Sequence, residues 1–245
     1  MTYCVGLQLD RGLVFLSDTR TNAGVDNIST YRKMHTWEVP GERTLVLMTA
    51  GNLATTQAVV SLLDERNLAA AERTSTLLTA PSMFQAARLI GETLRDVITE
   101  QAGSGGKPAS TFNATMIFGG QVKGSPPRLY LIYPEGNFIE AQADTPFFQI
   151  GETKYGRPIL VRAYDREMTF ERAVKLLMVS FDSTIRANLS VDAPLDLQIY
   201  RNDSFELGYS RRILDTDPDW RAICDGWSDA LRNAFDSLQD VTLCR

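Results

Sequence analysis

The order of periodic segments predicts an α+β chain in which two β-sheets are sandwiched between helical layers. Three observations carry this expectation. Strand-like segments fall into three groups, the first two groups are each followed by a pair of helical segments and the third by one, and no linker, repeat or low-complexity block divides the 245 residues. Residues 1–245 therefore read as one domain.

Tyr3, Val5, Leu7 and Leu9 alternate on one face of a first strand, Asp10-Arg11-Gly12 supplies turn chemistry, and "LVFLSDT" resumes as its hairpin partner. A three-residue loop centred on Asp10 would put Thr2 opposite Asp18, and other short loops displace the pair by only a residue or two. A strand from about Lys33 to Val39 ends at Pro40-Gly41, and "TLVLMTAG" is the continuous apolar run of a strand covered on both faces. "NLATTQAVVSLLDER" starts a helix capped by Asn52, and Met83, Ala87, Ile90, Leu94 and Val97 mark one face of a second. After the loop "GSGGKPAST", strand signals return in "FNATMIFGG", "RLYLIY" and "NFIEA". A short helix in "KYGRPILVRAY" precedes a longer one behind Thr169, striped by Phe170, Ala173, Val174, Leu177, Phe181 and Ile185. Strands "LDLQIYRND" and "FELGYSRRI" follow, then a helix opened by Asp217 with Pro218 at its first position. Its stripe of Trp220, Ile223, Trp227, Leu231, Ala234 and Leu238 is expected to pack inside the molecule, with an oligomer contact as the alternative.

Composition narrows the function. A formal net charge of -5 leaves no broad basic surface for phosphates, which argues against a nucleic-acid partner. No apolar run is long enough to span a bilayer and the start lacks a basic-then-apolar leader, so no membrane role and a cytoplasmic address are expected. Cys4, Cys224 and Cys244 lack C-x-x-C spacing and read as reduced, buried thiols. His35 is the one histidine, so any Ser/Cys-His triad or His-based metal site would have to use it. Cys4 with His35 would make a thiolate–imidazole pair, but a strand-interior cysteine ordinarily serves as a small buried hydrophobe. "GSGGKPAS" departs from a phosphate-binding loop, with Gln101 where a glycine is needed and Pro108 where a Ser or Thr is needed, and reads as a flexible connection.

Thr2 offers chemistry that needs no histidine. Removal of Met1 before a small residue frees the Thr2 α-amine, whose reference pKa of about 7.7–8.0 leaves part of it unprotonated at neutral pH. One residue then supplies both nucleophile and base. Turn arithmetic brings Asp18 near, and a Lys33 ammonium paired with it would favour the ionised hydroxyl and discourage protonation of the amine. The same two residues also fit a strand-end ion pair of little consequence.

With Thr at the second position, "SDTR" ending the second strand, a lysine on the third and "TAG" before the first helix, the chain resembles proteasome β-subunits and the bacterial peptidase HslV, members of the N-terminal nucleophile (Ntn) hydrolases. "TYCVGL", "SDTRTNAG" and "RANLSVDAPLDL" resemble more narrowly the Anbu group of bacterial proteasome-type proteins. The resemblance runs over nearly the whole chain. It implies a four-layer αββα sandwich of two antiparallel sheets, with Thr2 as nucleophile, Asp18 and Lys33 as its supporting pair, and the Gly51 N–H as oxyanion donor. It further implies Thr21, Asn22 and Gly51 as backbone binders of an extended peptide, and Tyr31, His35, Thr49 and Leu53 as pocket side chains. Ser190 matches a serine after the fourth helix, whereas Ala187 or Asn188 stands where the family has an acid, and Gly151-Glu152-Thr153 stands where it has Gly-Ser-Gly. The expected activity is that of a threonine peptidase acting on peptides or unfolded chains without metal or organic cofactor, within a ring-like or spiral homo-oligomer. No residue names an unfoldase partner. A vestigial, self-assembling scaffold subunit and an amidohydrolase for a specialised small peptide are the alternatives.

Overall fold

The computed structural model describes residues 2–22, 28–68, 75–105 and 108–243. Strands β1 (Tyr3–Leu9), β2 (Gly12–Asp18), β10 (Phe147–Gly151), β11 (Leu195–Arg201) and β12 (Ser210–Ile213) form one antiparallel sheet in the order β10-β1-β2-β11-β12. Strands β5 (Met34–Val39), β6 (Arg43–Gly51), β7 (Ala114–Val122), β8 (Arg128–Ile132) and β9 (Phe138–Glu140) form a second, in chain order. A small ladder joins β3 (Arg20–Asn22) to β4 (Ile28–Thr30).

Alternation along the strands builds three apolar layers. Tyr3, Val5, Leu7, Val14 and Leu16 face α3 (Arg157–Ala163), α4 (Phe170–Ala187) and α5 (Pro218–Asp236) on the outside of the first sheet. Leu45, Leu47, Met116 and Phe118 face α1 (Leu53–Leu68) and α2 (Met83–Gly105) on the outside of the second. Cys4, Leu13, Phe15, Val46, Met48, Ile117 and Ile150 interdigitate between the sheets. This is the αββα sandwich that the segment order implies.

The expected caps form. Asn52 Oδ1 accepts from Thr55 N at 3.1 Å, Thr169 Oγ1 from Arg172 N at 3.3 Å, and Asp217 Oδ1 from Asp219 N at 3.0 Å.

Four expectations change. The first hairpin has a two-residue loop, Asp10-Arg11, with Leu9 opposite Gly12; Cys4 then faces Ser17, so Tyr3, not Thr2, stands opposite Asp18. Strand β12 begins only at Ser210, and Phe205, where the expected strand starts, has a positive φ of 49° outside the extended region. Only the start of the α5 stripe is buried: Trp220 is 7% exposed, but Leu231 is 50% and Leu238 69% exposed, since the helix overhangs the α4 face on which its first turns pack. Helix α2 continues through Gly105 into the expected glycine loop, of which residues 106–107 lie outside the described residues, as does Cys244. No helix among the described residues is long and apolar enough to cross a membrane.

Candidate active site

The site gathers at one end of the first sheet. Thr2 precedes β1 and is 9% exposed. The Asp18 carboxylate, at the end of β2, is buried and accepts through Oδ1 from Tyr3 N at 3.0 Å and from Lys33 Nζ at 2.8 Å. Lys33 also donates to Arg20 O at 2.5 Å, so two of its three N–H donors are fixed. Arg20 is held in turn by Asp192, at 2.5 Å, from the segment between α4 and β11. Burial, the largest influence, pushes the Asp18 carboxyl up to about 6, opposed first by the Lys33 ammonium and then by the Tyr3 N–H. Breaking such a buried pair by removing one partner is far more damaging than losing a surface bridge.

Across from Thr2, the end of β10 closes in. Glu152 N donates to Thr2 O at 2.7 Å. Gly151 has φ of +81°, and a Cβ there would lie 1.8 Å from Thr2 O. Glu152 Oε2 accepts from Asn188 Nδ2 at 2.8 Å, and Asn188 Oδ1 accepts from Ser190 N at 2.9 Å. Ser190 thus reaches the site end of the sheet as a half-buried residue held by Asn188.

Gly51 ends β6 opposite Ala114, one residue before the Asn52 cap of α1. Its φ of +116° and the 2.4 Å separation of a hypothetical Cβ from Asn113 O show that the neighbouring strand, independently of any ligand, already demands glycine there. Thr21 and Asn22 lie on β3, paired with Ser29 and Ile28. Tyr31 is exposed, and Leu53 is half-buried at the start of α1.

Two of the expected pocket residues lie on the paired strands β5 and β6. Thr49 is buried, and its N–H donates to Lys33 O at 2.9 Å. His35 is half-buried on β5 opposite Leu47, with its pKa lowered chiefly by burial and raised by Asp64. Cys4 is fully buried, its thiol aimed at Thr49 O at 3.8 Å and its pKa raised by burial and then by Asp18, the reverse of an activated thiolate. The contact of Lys33 with Arg20 O had no sequence signal, because a backbone carbonyl carries no motif. Strand β10 was not among the expected strands, although the alternation of Phe148 and Ile150 between Pro146 and Gly151 is a signal for it.

Comparison with known proteins agrees with this fold. No curated protein matches the sequence. The chain is similar to a mutant of Anbu from Hyphomicrobium sp. strain MC1, with 51% identity and a TM-score of 0.91 over 99% of this chain and 100% of that one. Anbu from Yersinia bercovieri shares 48% identity with a TM-score of 0.92 over 99% and 100%. The Anbu complex of Pseudomonas aeruginosa, a helical assembly, shares 46% with a TM-score of 0.90 over 98% of each chain. The proteasome subunit family signature spans residues 2–193. By fold, by that signature and by its likeness to the Anbu proteins over nearly its full length, the chain belongs to the proteasome subunit family.

Proposed function

We propose that the chain is a proteasome-type threonine peptidase whose nucleophile, Thr2, is exposed by removal of Met1. The observation that carries this reading is the buried Asp18–Lys33 pair, clamped to the Tyr3 N–H directly after Thr2 and to Arg20 O. A buried ammonium held beside a hydroxyl lowers the energy of its alkoxide and keeps the adjacent amine neutral.

In the proposed cycle Thr2 Oγ attacks the substrate carbonyl carbon, and the proton from Oγ passes to the α-amine, through a water where needed. The Gly51 N–H, at the start of α1, stabilises the oxyanion. Collapse breaks the C–N bond, and the ammonium returns its proton to the leaving amine. Water then attacks the resulting ester, the amine taking its proton, and releases the acid and free Thr2. The backbone of Thr21 and Asn22 would bind an extended peptide as an added strand, between Tyr31 and Leu53. No step requires a metal or organic cofactor. The helical assembly of the Pseudomonas aeruginosa relative supports a homo-oligomer, which would restrict access to peptides or unfolded chains.

A second reading, an assembling subunit with a weak site, is favoured by the neutral Ala187 and Asn188 at the end of α4. Intact mass before and after a peptide epoxyketone separates the two. That warhead forms its ring adduct only with a free N-terminal amine and an adjacent reactive hydroxyl. An adduct on a Met-less chain, absent in Thr2→Ala, supports the peptidase. A folded, Met-less chain that resists epoxyketones and other warheads supports the scaffold, and a retained Met1 rules out the proposed base.

A further inference from the structure

We infer that Glu152 is a positioning residue for the Thr2 α-amine: its carboxylate, oriented by Asn188, supplies the negative charge that holds the amine in place and raises its basicity. The inference rests on the reading of Thr2 as the mature N-terminus.

Past Tyr3 and Gly151, the last pair of the β1–β10 ladder, Glu152 N donates to Thr2 O at 2.7 Å, so the chain leaving β10 stays against Thr2 for one more residue. Gly151 sharpens the approach, since its missing Cβ would stand 3.3 Å from Thr2 Cβ. Glu152 is therefore the first side chain after the closest contact between β10 and the nucleophile.

That carboxylate is also oriented. Asn188, the C-cap of α4, is fixed by its own N–H to Thr184 O at 2.9 Å and by Ser190 N on its Oδ1. Its Nδ2 then grips a single carboxylate oxygen, Oε2. A carboxamide in this place satisfies both Ser190 N–H and Glu152, which a carboxylate would repel.

The other charges around Thr2 have separate occupations. Asp18, from β2, is engaged by Lys33 and Tyr3 N. Lys33, before β5, points to Asp18 and Arg20 O. Behind them Arg20 pairs with Asp192. On α4, Arg186 pairs with Asp182; at the start of α3, Arg157 lies over the Phe147 ring. The Cys4 thiol faces Thr49 O, and the Tyr3 phenol lies with Ser180. Lys33 thus lowers the basicity of the amine and Glu152 raises it. Between them the amine can take the hydroxyl proton and still return it to the leaving group.

The test is competitive acetylation of the Thr2 α-amine with acetic anhydride across pH 5 to 10, read by mass spectrometry of the N-terminal peptide, with circular dichroism as a fold control. Glu152→Gln is expected to expose about tenfold more free amine at a given acidic pH, Asn188→Ala to move the same way by less, and Glu152→Asp to fall nearer the wild type. A folded Glu152→Gln that titrates as the wild type overturns the inference; should that variant unfold, an unmoved Asn188→Ala does so. The labelling needs no turnover. A shifted titration without an epoxyketone adduct would leave Glu152 in its role and remove the peptidase, whereas a retained Met1 would remove both.

Discussion

Gly151 and Thr2 touch backbone to backbone: with φ of +81° at Gly151, a Cβ would lie 1.8 Å from Thr2 O and 2.6 Å from Thr2 C. No rotamer relieves a clash between a Cβ and a main-chain carbonyl, so any side chain at 151 must push Thr2 away. Gly151→Ala is therefore expected to lose about 1–3 kcal/mol for backbone strain and more for the displaced strand, and to lose epoxyketone labelling. Gly41→Ala is the control, because Gly41 has φ of +77° with nothing within 4 Å of its missing Cβ. Equal melting temperatures and equal labelling in the two variants would show that the contact shapes nothing.

Asp18 predicts an acid limb in the reactivity of Thr2. A free aspartate titrates near about 3.9, but burial pushes this one up to about 6. The folded protein consequently takes up a proton between those values; protonated Asp18 adds to stability in acid, and that contribution is lost as the pH rises through about 6. The Lys33 clamp has the opposite requirement, since it needs the ionised carboxylate. Reversible loss of Thr2 reactivity without unfolding is expected below about pH 6. The logarithm of the labelling rate should fall with unit slope as the amine protonates and steepen to about two below that break. Asp18→Asn should react slowly throughout and show no break. A single unit slope from pH 7.5 to 5 in the folded wild type would contradict the assignment.

The αββα order and the pairing of Asp18 with Lys33 were legible because they depend on local signals. Period-two runs fixed the faces of β1 and β2, and Asn52, Thr169 and Asp217 marked the helix starts. The hairpin register was not legible, for a non-local reason. Gly12 reads as a turn residue, yet it is paired with Leu9 inside the ladder, and its missing Cβ would lie 2.0 Å from Tyr200 O of the neighbouring strand β11. Packing against a strand nearly two hundred residues away, not turn chemistry, demands that glycine. The same holds for Thr49, whose place in "TAG" gives no hint that it braces the Lys33 carbonyl.

Tyr3 ties the strand that follows Thr2 to the helical layer. Its phenol contacts Ser180 Oγ at 2.7 Å and accepts from Gln149 Nε2 at 2.6 Å, and burial pushes its pKa up to about 12. Tyr3→Phe strips both partners of a buried contact and is expected to lower stability by about 1–3 kcal/mol, seen as a lower urea midpoint. The Tyr3 N–H still reaches Asp18, so the labelling rate of Thr2 should stay within about twofold of the wild type. A collapse of labelling with an unchanged urea midpoint would mean that the phenol serves the site rather than the fold.

The end of α5 and the chain beyond it form an apolar face that the described residues leave uncovered. Leu231 is 50%, Phe235 75% and Leu238 69% exposed, at spacings of four and three residues that set them along one side. A stripe of this kind on one subunit is ordinarily covered by another, and the helical assembly of the Pseudomonas aeruginosa relative makes a second copy the occupant to test. Leu231→Glu combined with Phe235→Glu is expected to reduce the particle to a smaller species by light scattering, while circular dichroism stays unchanged because neither side chain belongs to the buried core. Particles of undiminished size would mean that copies meet through another face. A wild type that scatters as a monomer at every concentration would instead remove the homo-oligomer from the proposed function.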